Sequence, residues 1–185
     1  MMDELSLNIL DIAQNSISAG AKVVEISVIE DFDSDKIIIS VKDNGKGMSA
    51  DFLKLVENPF ITTRTTRKVG LGISFLKEAA EITGGSLEII SELGIGTTIT
   101  ANFVLSHIDR QPIGNLSETI ITLITLNPDI DFIVDYKTNN EDFFISTAEV
   151  KAHIGEDAKL SSPPIREFLS EYVSEHIQSL NGSAF

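Results

Sequence analysis

Apolar positions along this chain follow two periods, and the switches between them divide it into elements. Leu5, Ile9, Ile12 and Ser16 share one face of a 3.6-residue repeat, with Ala13 beside them, so the spacing predicts a helix that Gly20 ends. From Lys22 the period drops to two. Val24, Ile26 and Val28 predict a strand, "DFDSD" a polar turn, and Ile37, Ile39 and Val41 a second strand ending at Asp43. Asn44-Gly45 then reads at first as a hairpin turn. Alternation does not resume after it. Phe52, Leu53 and Val56 recur at three and four, with Ser49 placed to cap them, so the stretch is a strand-to-helix passage. Such a passage needs one glycine. The second, Gly47, calls for another cause, such as backbone brought close to a ligand.

Pro59 stops that short helix. A helical pattern returns from Leu71 to Thr83, with Ile73, Leu76 and Ala80 on one face and Phe75, Ala79 and Ile82 beside it, and Gly84-Gly85 closes it. Two strands follow, "SLEIISEL" and "TTITANFVL", joined by "GIG". The order helix, strand, strand, helix, loop, helix, strand, strand predicts an α+β protein with helices on one face of a largely antiparallel sheet. After Leu105 the texture changes. "SHIDRQPIGN" reads as a linker, and "LSETIITLITL" fits a helix or a strand. "DIDFIVDYKTNNEDFFIST" (Asp129 to Thr147) reads as a hairpin around Asn139-Asn140. A last helix carries Phe168, Leu169, Tyr172, Val173, His176, Ile177 and Leu180 as one apolar stripe, where His176 is expected to pack. Two units are expected: residues 1–105, and residues 106–185 as a small α/β appendage of open role.

Charge narrows the partners. The net charge is −14, which argues against nucleic acid or an anionic membrane. No apolar run approaches membrane-spanning length, the N-terminus lacks a basic signal region, and a soluble cytoplasmic protein is expected. There is no cysteine, which removes thiolate metal sites and cysteine nucleophiles. His107, His153 and His176 form no recognisable zinc pair, "DFDSD" lacks the glycine and terminal acid of a calcium loop, and no nucleophile elbow is present. Against the acidic background, "TTRTTRK" (Thr62 to Lys68) holds three positive charges and four hydroxyls. A solvated loop and a phosphate-facing loop look alike here.

Four features fall in order along the first hundred residues. Asp11 and Asn15 lie four apart on a helix. A strand ends in Asp43-x-Gly45-x-Gly47. The basic loop leads into Gly70-Leu71-Gly72 at a helix start. A tight "GIGTT" joins two later strands. In this order the chain resembles the histidine-kinase-like ATPases, the superfamily of sensor histidine kinases, anti-sigma-factor kinases, gyrase, mismatch-repair MutL and a heat-shock chaperone. "DIAQNSISAGA" is similar to the N box, "DNGKGM" to the first glycine box, "TTRTTRKVGLGIS" to the lid and second glycine box, and "GIGTTITANF" to the closing strand-turn-strand. The resemblance covers about residues 1–104 and implies a Bergerat-type two-layer α/β sandwich that binds ATP and Mg²⁺.

What the resemblance implies is specific by residue. Asn15 would hold the Mg²⁺ that bridges the phosphates. Asp43 would accept a hydrogen bond from the adenine amino group, with Thr97 behind it. Gly45 and Gly47 would admit the base. Thr63, Arg64, Arg67, Lys68, Gly70, Leu71 and Gly72 would surround the phosphates, which fits free N–H groups at a glycine-led helix start. Asp11 stands where the ATPase branch usually carries a glutamate base, one methylene shorter. The N box resembles the gyrase and MutL branch and the lid the kinase branch, so three functions stay open. The chain is expected to be a stand-alone kinase-like regulator acting on a protein partner or phosphoacceptor in trans, a conformational ATPase, or an ATP-responsive binding module. A homodimer is among the expected assemblies.

Overall fold

The computed structural model describes residues 4–57, 71–155 and 159–182. In chain order it contains α1 (Leu5–Ser18), β1 (Val23–Asp31), β2 (Lys36–Asp43), α2 (Ala50–Glu57), α3 (Leu71–Ile82), β3 (Ser86–Glu92), β4 (Gly96–Val104), α4 (Leu116–Leu126), β5 (Asp131–Lys137), β6 (Asp142–Ser146), α5 (Thr147–Ile154) and α6 (Pro163–Gly182). The strands form one sheet in the order β3-β4-β2-β1-β5-β6. Every neighbouring pair is antiparallel except β1 with β5, which is parallel.

Alternation along each strand becomes a row across the sheet. Ile89, Ile99, Val41, Ile26, Val134 and Ile145 lie side by side on one face, and all are buried. One row further on come Leu87, Ala101, Ile39, Val28, Tyr136 and Phe143. α1, α3, α4 and α6 cover this face. Their apolar stripes and the two rows form one continuous hydrophobic cluster. The other face mixes polar side chains with half-buried Ile29, Ile38 and Ile133. There Lys42 and Glu25 pair at 2.9 Å, both side chains well exposed, so the pair adds little stability.

Residues 116–182 join this same sheet and this same core. β5 pairs with β1 along Val23 to Ile29, and α4 packs on both α1 and α6. The apolar run at 116–126 is a helix because Asn115 caps it, accepting from the Glu118 N–H at 3.1 Å, while its Nδ2 donates to the Glu118 carboxylate at 2.9 Å. The segment before it is a strap over α1. Pro112 and Ile113 carbonyls accept from Leu5 and Ser6 N–H groups at 2.9 and 2.8 Å.

Three expectations need correction. Ile82, expected beside the packed face of α3, is exposed. The stripe of α6 is split: Leu169, Val173, Ile177 and Leu180 are buried, whereas Phe168, Tyr172 and His176 are not. His176 therefore does not pack into the core. α5 follows directly on the hairpin and was not anticipated. It starts at Ser146, and Thr147 at its first position accepts from the Phe132 N–H at 2.8 Å.

Candidate functional site

The buried face of the sheet turns polar at one end. The row beyond Ile89 and Ile99 reads Ser91, Thr97, Asp43, Val24 and Phe132 across β3, β4, β2, β1 and β5. Asp43 thus points toward the helix layer because it continues the alternation of Ile37, Ile39 and Val41. A carboxylate in such a place needs partners. Ser16 of α1 donates to Oδ2 at 2.7 Å and the Gly45 N–H donates to Oδ1 at 2.8 Å. Both oxygens are oriented by the fold. Thr97 pairs with Asp43 across the strands, and its hydroxyl shares a 2.8 Å hydrogen bond with Ser91. Ser91 also accepts from the Met48 N–H at 2.9 Å, which fastens the loop after β2 to the β3–β4 hairpin.

The glycines of this loop serve the chain itself. A Cβ on Gly47, where φ is +63°, would stand 1.9 Å from the Glu92 carbonyl oxygen. A Cβ on Gly45 would stand 2.9 Å from Asp43 Oδ1 and 3.0 Å from the Ala19 Cβ. Close packing by the protein itself thus requires a residue without a Cβ at both positions. Asn44 closes the same corner, its Oδ1 accepting from the Lys22 and Val23 N–H groups at 2.8 and 2.9 Å.

Asp11 and Asn15 lie one turn apart on α1, on the side that meets α3. A Cβ on Gly72 would fall 1.7 Å from Asp11 Oδ2, so the start of α3 is packed directly on this carboxylate. Among the described residues, Asp11 Oδ2 and Asn15 Nδ2 are buried without a hydrogen-bond partner. Leu71 opens α3. Thr63, Arg64, Arg67, Lys68 and Gly70 lie outside the described residues. The structure thus brings together Asp11, Asn15, Asp43, Gly45, Gly47, Leu71, Gly72 and Thr97 at one end of α1. Sequence reasoning missed Ser16 and Ser91. Ser16 was visible as the one hydroxyl on an otherwise apolar face of α1; Ser91 carried no local signal.

Comparison with known proteins places this geometry in a family. The family described as "Histidine kinase-, DNA gyrase B-, and HSP90-like ATPase" matches residues 1–107, and the chain belongs to it. Its first 107 residues are an ATP-binding, histidine-kinase-like ATPase domain on a Bergerat-type fold. The chain is similar to "Sensor histidine kinase ZraS" of Escherichia coli (strain K12), 31% identical over 112 residues, which is 60% of this chain and 24% of that protein. It is similar also to "Sensor histidine kinase YvrG" of Bacillus subtilis (strain 168), 33% identical over 93 residues, or 48% of this chain and 16% of that one. The chain therefore spans a quarter or less of the length of these relatives. A solved "N terminal domain of a DNA repair protein" shares the fold at a TM-score of 0.51 and 15% identity, over 78% of this chain and 52% of that one. Among the described residues no helix is long and apolar enough to cross a membrane.

Proposed function

We propose that this chain binds ATP with Mg²⁺ and acts as a stand-alone kinase-like regulator, which transfers phosphate to a separate protein partner or switches it. The observation that carries the reading is Asp43, a carboxylate on the core face of the sheet whose two oxygens are set by Ser16 and the Gly45 N–H. So oriented, it accepts a hydrogen bond from an exocyclic amino group and repels a carbonyl, which selects adenine. Beside Ser16 on the same stretch of α1, Asn15 and Asp11 each carry a hard oxygen; the orphaned Asp11 Oδ2 fits a cation, and the orphaned Asn15 Nδ2, a donor, fits an anionic oxygen. Asn15 would hold the metal, whose charge would offset that of the phosphates. The start of α3, bared by Gly72, presents N–H groups toward them. Arg64, Arg67 and Lys68 would add positive charge. Such a site works by positioning and charge neutralisation.

A second reading rests on Asp11. Its carboxylate has one oxygen without a partner, and it would orient a water for attack, as in a conformational ATPase. Incubation of the pure chain with Mg²⁺ and γ-labelled ATP separates the two. The regulator reading expects ATP bound and no phosphate release until a partner is present. Release from the chain alone, abolished by Asp11→Ala, moves the protein to the ATPase reading. Calorimetry tests the shared base. Asp43→Ala should weaken ATP binding by about tenfold to a hundredfold, as loss of a charge-assisted hydrogen bond predicts. Wild-type affinity in that variant overturns the adenine assignment. Asn15→Ala should abolish the Mg²⁺ dependence of binding.

A further inference from the structure

Far from the nucleotide site, β6 ends the sheet, and among the described residues it pairs with β5 alone. A free edge offers unpaired N–H and C=O groups to any extended chain. Beside it α6 is built in three lengthwise sectors. Leu169, Val173, Ile177 and Leu180 face the core. Phe168, Tyr172 and His176, four apart, form the next file, with Phe168 63% and Tyr172 36% exposed. Glu167, Glu171 and Glu175 form the third, all exposed. The aromatic file borders the edge strand. Phe168 stacks on Tyr172 at 6.1 Å, Tyr172 lies 4.2 Å from the His176 ring, and Phe143 of β6 lies 6.1 and 5.8 Å from Tyr172 and His176. On the opposite face of β6, Phe144 is 49% exposed. One strand edge thus carries apolar rings on both sides.

The surrounding charge is mostly acidic, its cations being Lys137, already paired with Asp135, and Arg166 at the start of α6. Glu167 with Glu171, and Glu171 with Glu175, are like-charged neighbours at i,i+4, an arrangement that disfavours the helix. No Lys or Arg follows Arg166 in the chain. Glu141 and Asp142 add two acids where β6 begins. A partner that brought positive charge would relieve this repulsion.

We propose that the β6–α6 edge docks an extended, Arg- or Lys-bearing segment of a partner protein as a seventh strand. The backbone of β6 bonds to it. Its alternate side chains fall on Phe144 at one face and on Phe168, Tyr172 and His176 at the other. Its cations meet Glu167, Glu171 and Glu175 and stack on the rings. A second copy of this chain is the wrong occupant, because β6 against β6 sets Glu141, Asp142 and the glutamate file against their own kind, on a chain of net charge −14. The proposal does not depend on the nucleotide site.

The probe is a fluorescein-labelled hexapeptide, Arg-Val-Arg-Tyr-Arg-Val, titrated with the full chain without nucleotide and read by fluorescence anisotropy. Saturable binding is expected. Methylation of alternate peptide nitrogens, Glu171→Lys and Tyr172→Ala should each weaken it by about tenfold, the usual scale for losing an anchor. Glu88→Lys, an equal charge change on β3, should leave it unaltered. Absence of saturable binding, equal binding of the methylated peptide, or equal loss in Glu88→Lys overturns the proposal. So does a dimer in sedimentation that Tyr172→Ala dissolves, which would give the edge to a second copy. The methylated-peptide arm uses the wild-type chain, so it stands even if a variant fails to fold.

Discussion

Asp43 would be an expensive residue without Ser16. A half-buried carboxylate on a core face needs hydrogen-bond donors, and two meet it here, one of them a hydroxyl from another element 27 residues away. Ser16→Ala should leave the fold in place and lower ATP affinity by about tenfold in calorimetry, since the carboxylate loses its orientation and one charged hydrogen bond. The glycines split by what stands in their way. At Gly47 a Cβ meets backbone and φ is positive, so Gly47→Ala should cost about 3 kcal/mol or more in urea unfolding. At Gly72 the nearest atoms belong to the Asp11 side chain, which can swing aside. Gly72→Ala should cost only about 1 kcal/mol of stability yet weaken nucleotide binding, and that second effect should vanish when Asp11 is already Ala. Asp43 and Gly72 were legible because their motifs are local. The partnership of Ser16 with Asp43 was not. On the helix Ser16 reads as a weak member of an apolar stripe, and only the packing of α1 on β2 shows what its hydroxyl meets.

At the scale of elements the same division holds. The strands were legible where burial on one face imposed alternation, and α6 was legible as a helix. Its split stripe was not, because whether Phe168, Tyr172 and His176 meet a neighbour depends on what lies beyond β6. The parallel pairing of β1 with β5 was equally hidden, since no local pattern encodes a partner a hundred residues distant. One hydrogen bond marks that junction: Tyr136 of β5 donates to Glu30 of β1. Burial, and then the hydrogen bond to and charge of Glu30, hold the Tyr136 phenol far above its ordinary pKa near 10. The folded protein keeps a proton there that the unfolded chain releases. This contribution is complete below pH 10 and lost above it, at roughly 1.4 kcal/mol per pH unit. Tyr136→Phe should therefore fall less steeply than wild type in unfolding free energy between about pH 10 and 11.5. Parallel slopes would mean that the phenol ionises in the folded state.

In the whole molecule, the division at residue 105 separates two textures of sequence that share one sheet and one core. Removing residues 106–185 would bare the β1 edge from Val23 to Ile29 and the face of α1 that α4 covers. We expect a chain ending at 105 to aggregate, and the full chain to unfold in one transition with circular dichroism and tyrosine fluorescence superimposed. A soluble, nucleotide-binding 1–105 fragment would instead make the first unit self-sufficient.

The parallel β1–β5 pairing has a consequence in time as well as in space. On the ribosome β1 emerges early and can pair at once with β2, its hairpin neighbour. Its other side must wait until Lys137 has been made, and α4, which links the two halves, comes late as well. Between the making of β2 and that of β5 the nascent chain therefore holds a half-clothed strand, and this sheet is completed by one late, long-range closure.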